Sequence, residues 1–292
     1  MRGRLLTLII LFFITVVRAQ FINHGDTIFM SDTIFSEVDA MSWSPDSKSL
    51  VFSAKQMGST QLDLFVYSLA NERLKNLSQS FYDENNPIWH PDGNRIIYDK
   101  LVDSLHKMMV INPLTLEEKP LLNRDIQSRQ GSFANDSILI CFSGYDVIDD
   151  KWQIYTYDFV YDNLNQLTNN NYNCIKPLFS PNGKHIIYEE IDSMQSSQLK
   201  MINWYGKDEV IIDSISVSNP SWNPDSWRFN FISKTERGEE VFSLRYNGQS
   251  PLQLSFNDIN EKLVSISPDS KHIAVVIEME DYNYIVISDI SN

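Results

Sequence analysis

Basic residues are scarce in this chain. Lys and Arg number 24 against 38 Asp and Glu, a net charge of −14 at pH 7. Such a chain repels phosphate backbones and anionic lipid headgroups, so neither nucleic acid nor a membrane surface is an expected partner. Cysteine is nearly absent. Cys141 and Cys174 are the two in the chain, too few to hold a zinc ion by themselves. Their spacing does not decide between a bridge and two buried thiols, and buried thiols are the expectation. None of the ten glycines lies two or four residues from another, which removes G-x-G phosphate loops and the G-x-S-x-G nucleophile elbow. There is no His-Glu-x-x-His, no D-x-[DN]-x-[DN]-G calcium loop, and the five histidines are dispersed. The expectation is therefore no catalytic residue, no metal and no cofactor.

Long apolar runs are missing too. The longest, Leu5–Val17, has thirteen residues, short of the roughly 20 that a spanning helix requires. Arg2 and Arg4 precede it, and Val17-Arg18-Ala19 offers small residues around a cleavage point. This order predicts a secretory signal peptide over 1–19, cleaved before Gln20. No cysteine follows the run, so lipid attachment there is not expected. Cleavage would remove Arg2, Arg4 and Arg18 and no acid, taking the net charge to −17. The mature protein, 20–292, would be periplasmic or secreted, with no membrane span.

What the mature chain has in abundance is one recurring segment. Ser-Trp-Ser-Pro-Asp-Ser at 42–47 returns as Ile-Trp-His-Pro-Asp-Gly at 88–93, Leu-Phe-Ser-Pro-Asn-Gly at 178–183, Ser-Trp-Asn-Pro-Asp-Ser at 221–226 and Ser-Ile-Ser-Pro-Asp-Ser at 265–270. A worn copy, Ser-Phe-Ala-Asn-Asp-Ser, sits at 132–137. The marker residues Asp46, Asp92, Asp136, Asn182, Asp225 and Asp269 are separated by 46, 44, 46, 43 and 44 residues. That period suits β-propeller blades of four short strands. Within the fifth copy, strands are expected at Asn219–Asn223, Arg228–Ser233, Val241–Tyr246 and Pro251–Ser255, with Pro224-Asp225-Ser226 a turn and Asn247-Gly248 a hairpin. The aromatics Trp43, Trp89, Phe133, Phe179 and Trp222 take one structural position and are expected to pack between blades.

The last repeat stops after its third strand, at Asn292. Asp26–Met30 is a spare apolar segment ahead of the first full repeat. Phe29 and Met30 lead Trp43 by 14 and 13 residues, close to the 12 that separates Leu77 from Trp89, Leu167 from Phe179 and Leu254 from Ile266. The reading is all-β: a single six-bladed β-propeller of four-stranded antiparallel blades, closed by an N-terminal strand that completes the last blade and leaves no open edge there.

At its Ser-Trp-Ser-Pro-Asp and Trp-His-Pro-Asp-Gly stretches the chain resembles TolB-type propellers, over about residues 26–292. The extra N-terminal α/β domain of TolB has no counterpart, so only the propeller half of the comparison applies. The resemblance implies a periplasmic platform that binds proteins.

Two loop sets share one expected face. Outer-to-inner loops carry Tyr82, Asn85, Arg129, Tyr172, Asn173, Phe256 and Asn257, aromatics and amides that the repeat does not demand, with Arg129 a candidate carboxylate clamp. Second-to-third-strand loops are acidic, as at Asp146–Asp150, Glu189–Asp192 and Glu278–Asp281. Lys48, Arg95, Lys184, Arg228 and Lys271 fall on the opposite face. The expected function is non-catalytic binding of a protein or peptide through the loop face. A channel-mouth hydrolase or lactonase-type enzyme using the acidic loops is the alternative, and a structural propeller subunit of an envelope complex is a third reading.

Overall fold

The computed structural model describes residues 27–30, 35–78, 80–134, 137–212, 217–279 and 282–290. Segment 1–19, where a signal peptide is expected, and Asn135 and Asp136 of the worn repeat lie outside them. Every regular element among the described residues is a β-strand.

Four sheets have four strands each in meander order. One comprises Glu84–Trp89, Ile96–Val102, Leu105–Ile111 and Glu118–Pro120. The next comprises Ser128–Phe133, Leu139–Asp146, Lys151–Asp158 and Asn163–Gln166. Asn173–Phe179, His185–Ile191, Ser197–Asn203 and Val210–Ile211 form the third. Ser218–Trp222, Arg228–Lys234, Glu239–Arg245 and Leu252–Gln253 form the fourth.

The fifth sheet is eight-stranded. One arm has Phe35–Trp43, Ser49–Gln56, Asp63–Ser68 and Arg73–Asn76; the other has Asn260–Ile266, His272–Met279, Tyr282–Asp289 and Thr27–Met30. The arms meet at a single ladder position, Phe35 opposite Asn283. Thr27–Met30 pairs antiparallel with Tyr282–Asp289, Phe29 opposite Ile287 and Met30 opposite Val286.

The turns explain why the repeat looks as it does. In each intact copy the marker side chain accepts the backbone N–H two residues on, as Asp46 does from Lys48 (3.1 Å), Asn182 from Lys184 (3.0 Å) and Asp225 from Trp227 (2.8 Å). The residue after the marker is left-handed in all six copies: Ser47, Gly93, Ser137, Gly183, Ser226 and Ser270 have φ between 60 and 73°. Glycine adopts that backbone most readily, and the other copies place the small residue serine there.

Burial follows the same arithmetic. Six apolar clusters among the described residues each join one four-strand unit to the next, and one, containing Phe35, Trp43 and Phe52 with Ala274, Val276, Ile285 and Ile287, joins the first unit to the last. The recurrent aromatics sit at these junctions. Trp43 Nε1 donates to the Ser265 carbonyl and Trp222 Nε1 to the Leu178 carbonyl, both at 3.2 Å, in the neighbouring unit. Cys141 and Cys174 are buried free thiols in one such cluster.

Outer strands end earlier than their pattern suggests. Leu77, Leu167 and Leu254 fall past the strand ends, yet each still donates its N–H to the third strand at 2.7–2.8 Å and fills the junction beneath. The following hydroxyl, Ser78, Thr168 or Ser255, accepts the N–H fourteen residues earlier.

Candidate functional site

Both loop sets do lie together, and a repeated hydrogen bond holds them. Asp83, Gln127, Asn173 and Asn260 each accept, through a side-chain oxygen, the backbone N–H of the residue 21 positions earlier: Leu62, His106, Trp152 and Glu239, at 2.9–3.3 Å. The acceptor lies where the chain enters a new unit; the donor lies where the third strand of the preceding unit begins. Asn173, a candidate contact residue, is thereby also part of this latch.

Each inner strand carries a bulge that re-aims its side chains. Asn86, Gln130, Lys176 and Asn219 are the left-handed residues there, with φ of 48–57°. The bulge N–H bonds across to the previous unit: Gln130 N–H to Asp99 Oδ2 (2.7 Å) and Lys176 N–H to Ser143 Oγ (3.1 Å). Asn86 Nδ2 adds a second bond to Asp99 Oδ2 at 2.8 Å.

Asp99 is buried, and burial raises its pKa to about 7 against the lowering effect of those hydrogen bonds. Three polar atoms around it are buried and unpartnered among the described residues: Asp99 Oδ1, Asn85 Oδ1 and Arg129 Nε. Asn85 stands opposite Asp99 in the strand ladder. The Arg129 guanidinium lies 4.1 Å over the Trp152 ring and makes no ion pair among the described residues. Burial pulls its pKa down, with the Asp99 charge opposing, but a guanidinium stays protonated. Trp152 is held in turn by His106 at 5.5 Å and Tyr145 at 5.3 Å. Burial and then the Arg129 charge lower the His106 pKa.

Five of the seven predicted residues are thus brought into one run across three units. Tyr82, with Lys100 Nζ 5.7 Å above its ring, and Asn85 belong to the first. Arg129 on Trp152 belongs to the second. Asn173, bonded to Trp152, and the half-exposed Tyr172 belong to the third. Phe256 is exposed in a separate loop. Asn257 is a correction: it is 2% exposed, and its groups are spent on Glu240 (3.1 Å), Glu261 (2.7 Å) and Ile259 (2.7 Å), so it belongs to the interior. Sequence reasoning missed Trp152, His106, Tyr145 and Asp99. Trp152 had a signal, since no other repeat places a tryptophan at the start of its third strand.

Among the acidic loops, Asp146 Oδ1 is committed to the Ile148 N–H and Asp150 accepts the Tyr145 hydroxyl. No group of three or more His, Cys, Asp or Glu side chains among the described residues is placed to hold a metal ion. No helix among the described residues is long and apolar enough to cross a membrane.

The model of the TolB β-propeller domain family matches residues 32–212. The chain belongs to that family. Solved TolB-type structures share the fold at low identity. TolB from Acinetobacter baumannii superposes with a TM-score of 0.64 at 16% identity over 76% of this chain, which spans 55% of that longer protein. A putative TolB from Agrobacterium tumefaciens gives 0.65 at 16% identity, covering 91% of this chain and 93% of that one. An oligogalacturonate lyase in complex with manganese gives 0.59 at 12% identity, with 90% of each chain covered. A search of curated proteins finds no match. These likenesses concern the TolB-type fold.

Proposed function

We propose that this protein is an exported, non-catalytic six-bladed propeller that binds a protein or peptide through the face built from its outer-to-inner and second-to-third-strand loops. The blade count treats the eight-stranded sheet as two four-stranded blades touching at Phe35 and Asn283. On that count Thr27–Met30 completes the last blade beside Tyr282–Asp289, and one blade contains the first and the last described strands. The basic start and thirteen-residue apolar run ahead of Gln20 support export. The TolB kinship supports a platform role.

The observation that carries the reading is Arg129. A guanidinium 4.1 Å over the Trp152 ring, its Nε buried without a partner among the described residues, has already lost part of its water. A carboxylate from a partner would gain charge-assisted, paired hydrogen bonds there at little further ordering cost. Tyr82 and Tyr172 flank it as part-exposed aromatic anchors of the kind that dominate interface energy.

The test is affinity capture from envelope extracts with the mature chain as bait, beside an Arg129→Ala bait and a Tyr82→Ala, Tyr172→Ala bait. A partner held by the native bait and lost from both variants supports the reading. A partner held equally by all three, or none held by any, counts against it.

A further inference from the structure

The face opposite the loops carries a different grouping. Arg228 and Arg245 stand directly opposite each other across adjacent strands. Like charges in that position repel. Yet neither forms an ion pair among the described residues, in a chain with 38 acids. Arg228 Nη1 donates to the Ser250 carbonyl at 3.3 Å; Arg245 is exposed.

Both line an open cleft of about 310 Å³ with Asp225, Trp227, Tyr246 and Asn247. That is the lower end of the size range for small-molecule sites. Trp227 is 63% exposed, its ring 5.7 Å from that of Tyr246, which stacks on His185 at 5.4 Å. Asp225 Oδ1 is occupied by the Trp227 N–H.

The repeat does not require these residues. Where Trp227 stands, the other intact copies have Lys48, Asn94, Lys184 and Lys271. Trp227 and Tyr246 thus leave an exposed aromatic surface beside two arginines that form no ion pair among the described residues.

We infer that this cleft is a second binding site, for a carboxylate attached to a planar ring. Two guanidinium groups and one Asp carboxylate leave it one positive charge, which matches a monoanion and disfavours a phosphate dianion. The exposed Arg245 guanidinium presents the planar fork that a carboxylate fits, with Arg228 beside it in the same lining. Trp227 and Tyr246 supply the wall against which a ring packs. Two sources share this chemistry: a free aromatic acid, and a peptide whose last residue is aromatic.

The test is calorimetric titration of the mature chain with N-acetyl-tyrosine, with its amide, and with a short peptide ending in tyrosine. The Trp227 indole resonance, assigned through Trp227→Phe, is followed in parallel. The expected result is binding of the acid with a shift at Trp227, and at least about tenfold weaker binding of the amide. Arg245→Gln and Arg245→Ala should cause the same loss at an unchanged melting temperature. Arg129→Ala should leave the affinity for N-acetyl-tyrosine in this titration as it is in the native chain, which separates this cleft from the loop face, where the same variant loses its partner. Equal binding of acid and amide, an unmoved Trp227 resonance, no binding at millimolar concentration, or full affinity in Arg245→Gln would overturn the assignment. If the peptide binds far tighter than N-acetyl-tyrosine, the ligand is a chain terminus; if the two are alike, it is a small acid.

Discussion

Glu240 and Glu261 meet on one hydroxyl. Ser255 Oγ lies 2.6 Å from Glu240 Oε2 and 3.1 Å from Glu261 Oε2, and both carboxyls are fully buried. The hydroxyl has a single hydrogen, so the two contacts are both hydrogen bonds only if one carboxyl carries a proton. Burial raises the Glu261 pKa from 4.5 to about 7, with the Glu240 charge adding to the shift. Asp99 is raised by burial from 3.8 to about 7.

A folded-state pKa above the unfolded value means that the folded protein holds the proton more tightly. The associated stability is complete below the unfolded pKa and is lost as pH rises through the folded one. Melting temperature should therefore fall between about pH 4.5 and 7 on account of Glu261, with Asp99 acting in the same sense. Glu261→Gln should flatten part of the slope and Asp99→Asn more of it. Thermal unfolding across pH 5 to 8, as about three buffers, checks this; a melting temperature that rises with pH and keeps its slope in both variants would contradict it.

Junction packing makes a second prediction. Trp222→Ala should destabilise by about 3–5 kcal/mol, the range for a buried aromatic. Trp222→Phe keeps most of the packing and loses the bond to the Leu178 carbonyl, costing about 1 kcal/mol for that bond. Trp89 has a buried Nε1 with no acceptor among the described residues, so Trp89→Phe should cost less than Trp222→Phe. Denaturant midpoints for the three variants test the order.

Replacing the marker Asp should be mild. Asn182 performs the turn bond to Lys184 through the same oxygen that Asp uses elsewhere, so Asp225→Asn should cost well under about 1 kcal/mol. It should leave binding at the loop face intact. A loss of partner binding in Asp92→Asn or Asp225→Asn at native stability would overturn the structural role of these turns.

Removing residues 20–32 should lower stability sharply, because it strips Thr27–Met30 from beside Tyr282–Asp289 and opens an edge. A truncated chain that melts with the full mature chain would contradict closure by that strand.

The repeat, its turns and its junction aromatics were legible because each recurs at one spacing and each does a local job. Asp46 and its counterparts fix a turn within two residues, so sequence alone reveals the role. The 21-residue latch from Asp83, Gln127, Asn173 and Asn260 was hidden, since three residue types perform it through one chemical feature, a side-chain oxygen. The same latch is why Asn173 looked free of structural duty. Asn257 was misplaced for a related reason: a buried amide amid acids reads like an exposed loop until Glu240 and Glu261 fold over it. Trp152 was overlooked because its value lies in the contact with the Arg129 guanidinium over its ring, which no local pattern reports.

The claim that the loop face binds a partner is tested most directly by measuring affinity for the captured partner in two sets of variants. Tyr82→Ala with Tyr172→Ala should weaken binding by more than about 2 kcal/mol, with Arg129→Ala comparable. Lys48→Ala, Lys184→Ala and Lys271→Ala together, on the opposite face, should leave it unchanged. Binding that survives loss of the tyrosines and fails with the lysines would contradict the account and put the partner on the other face.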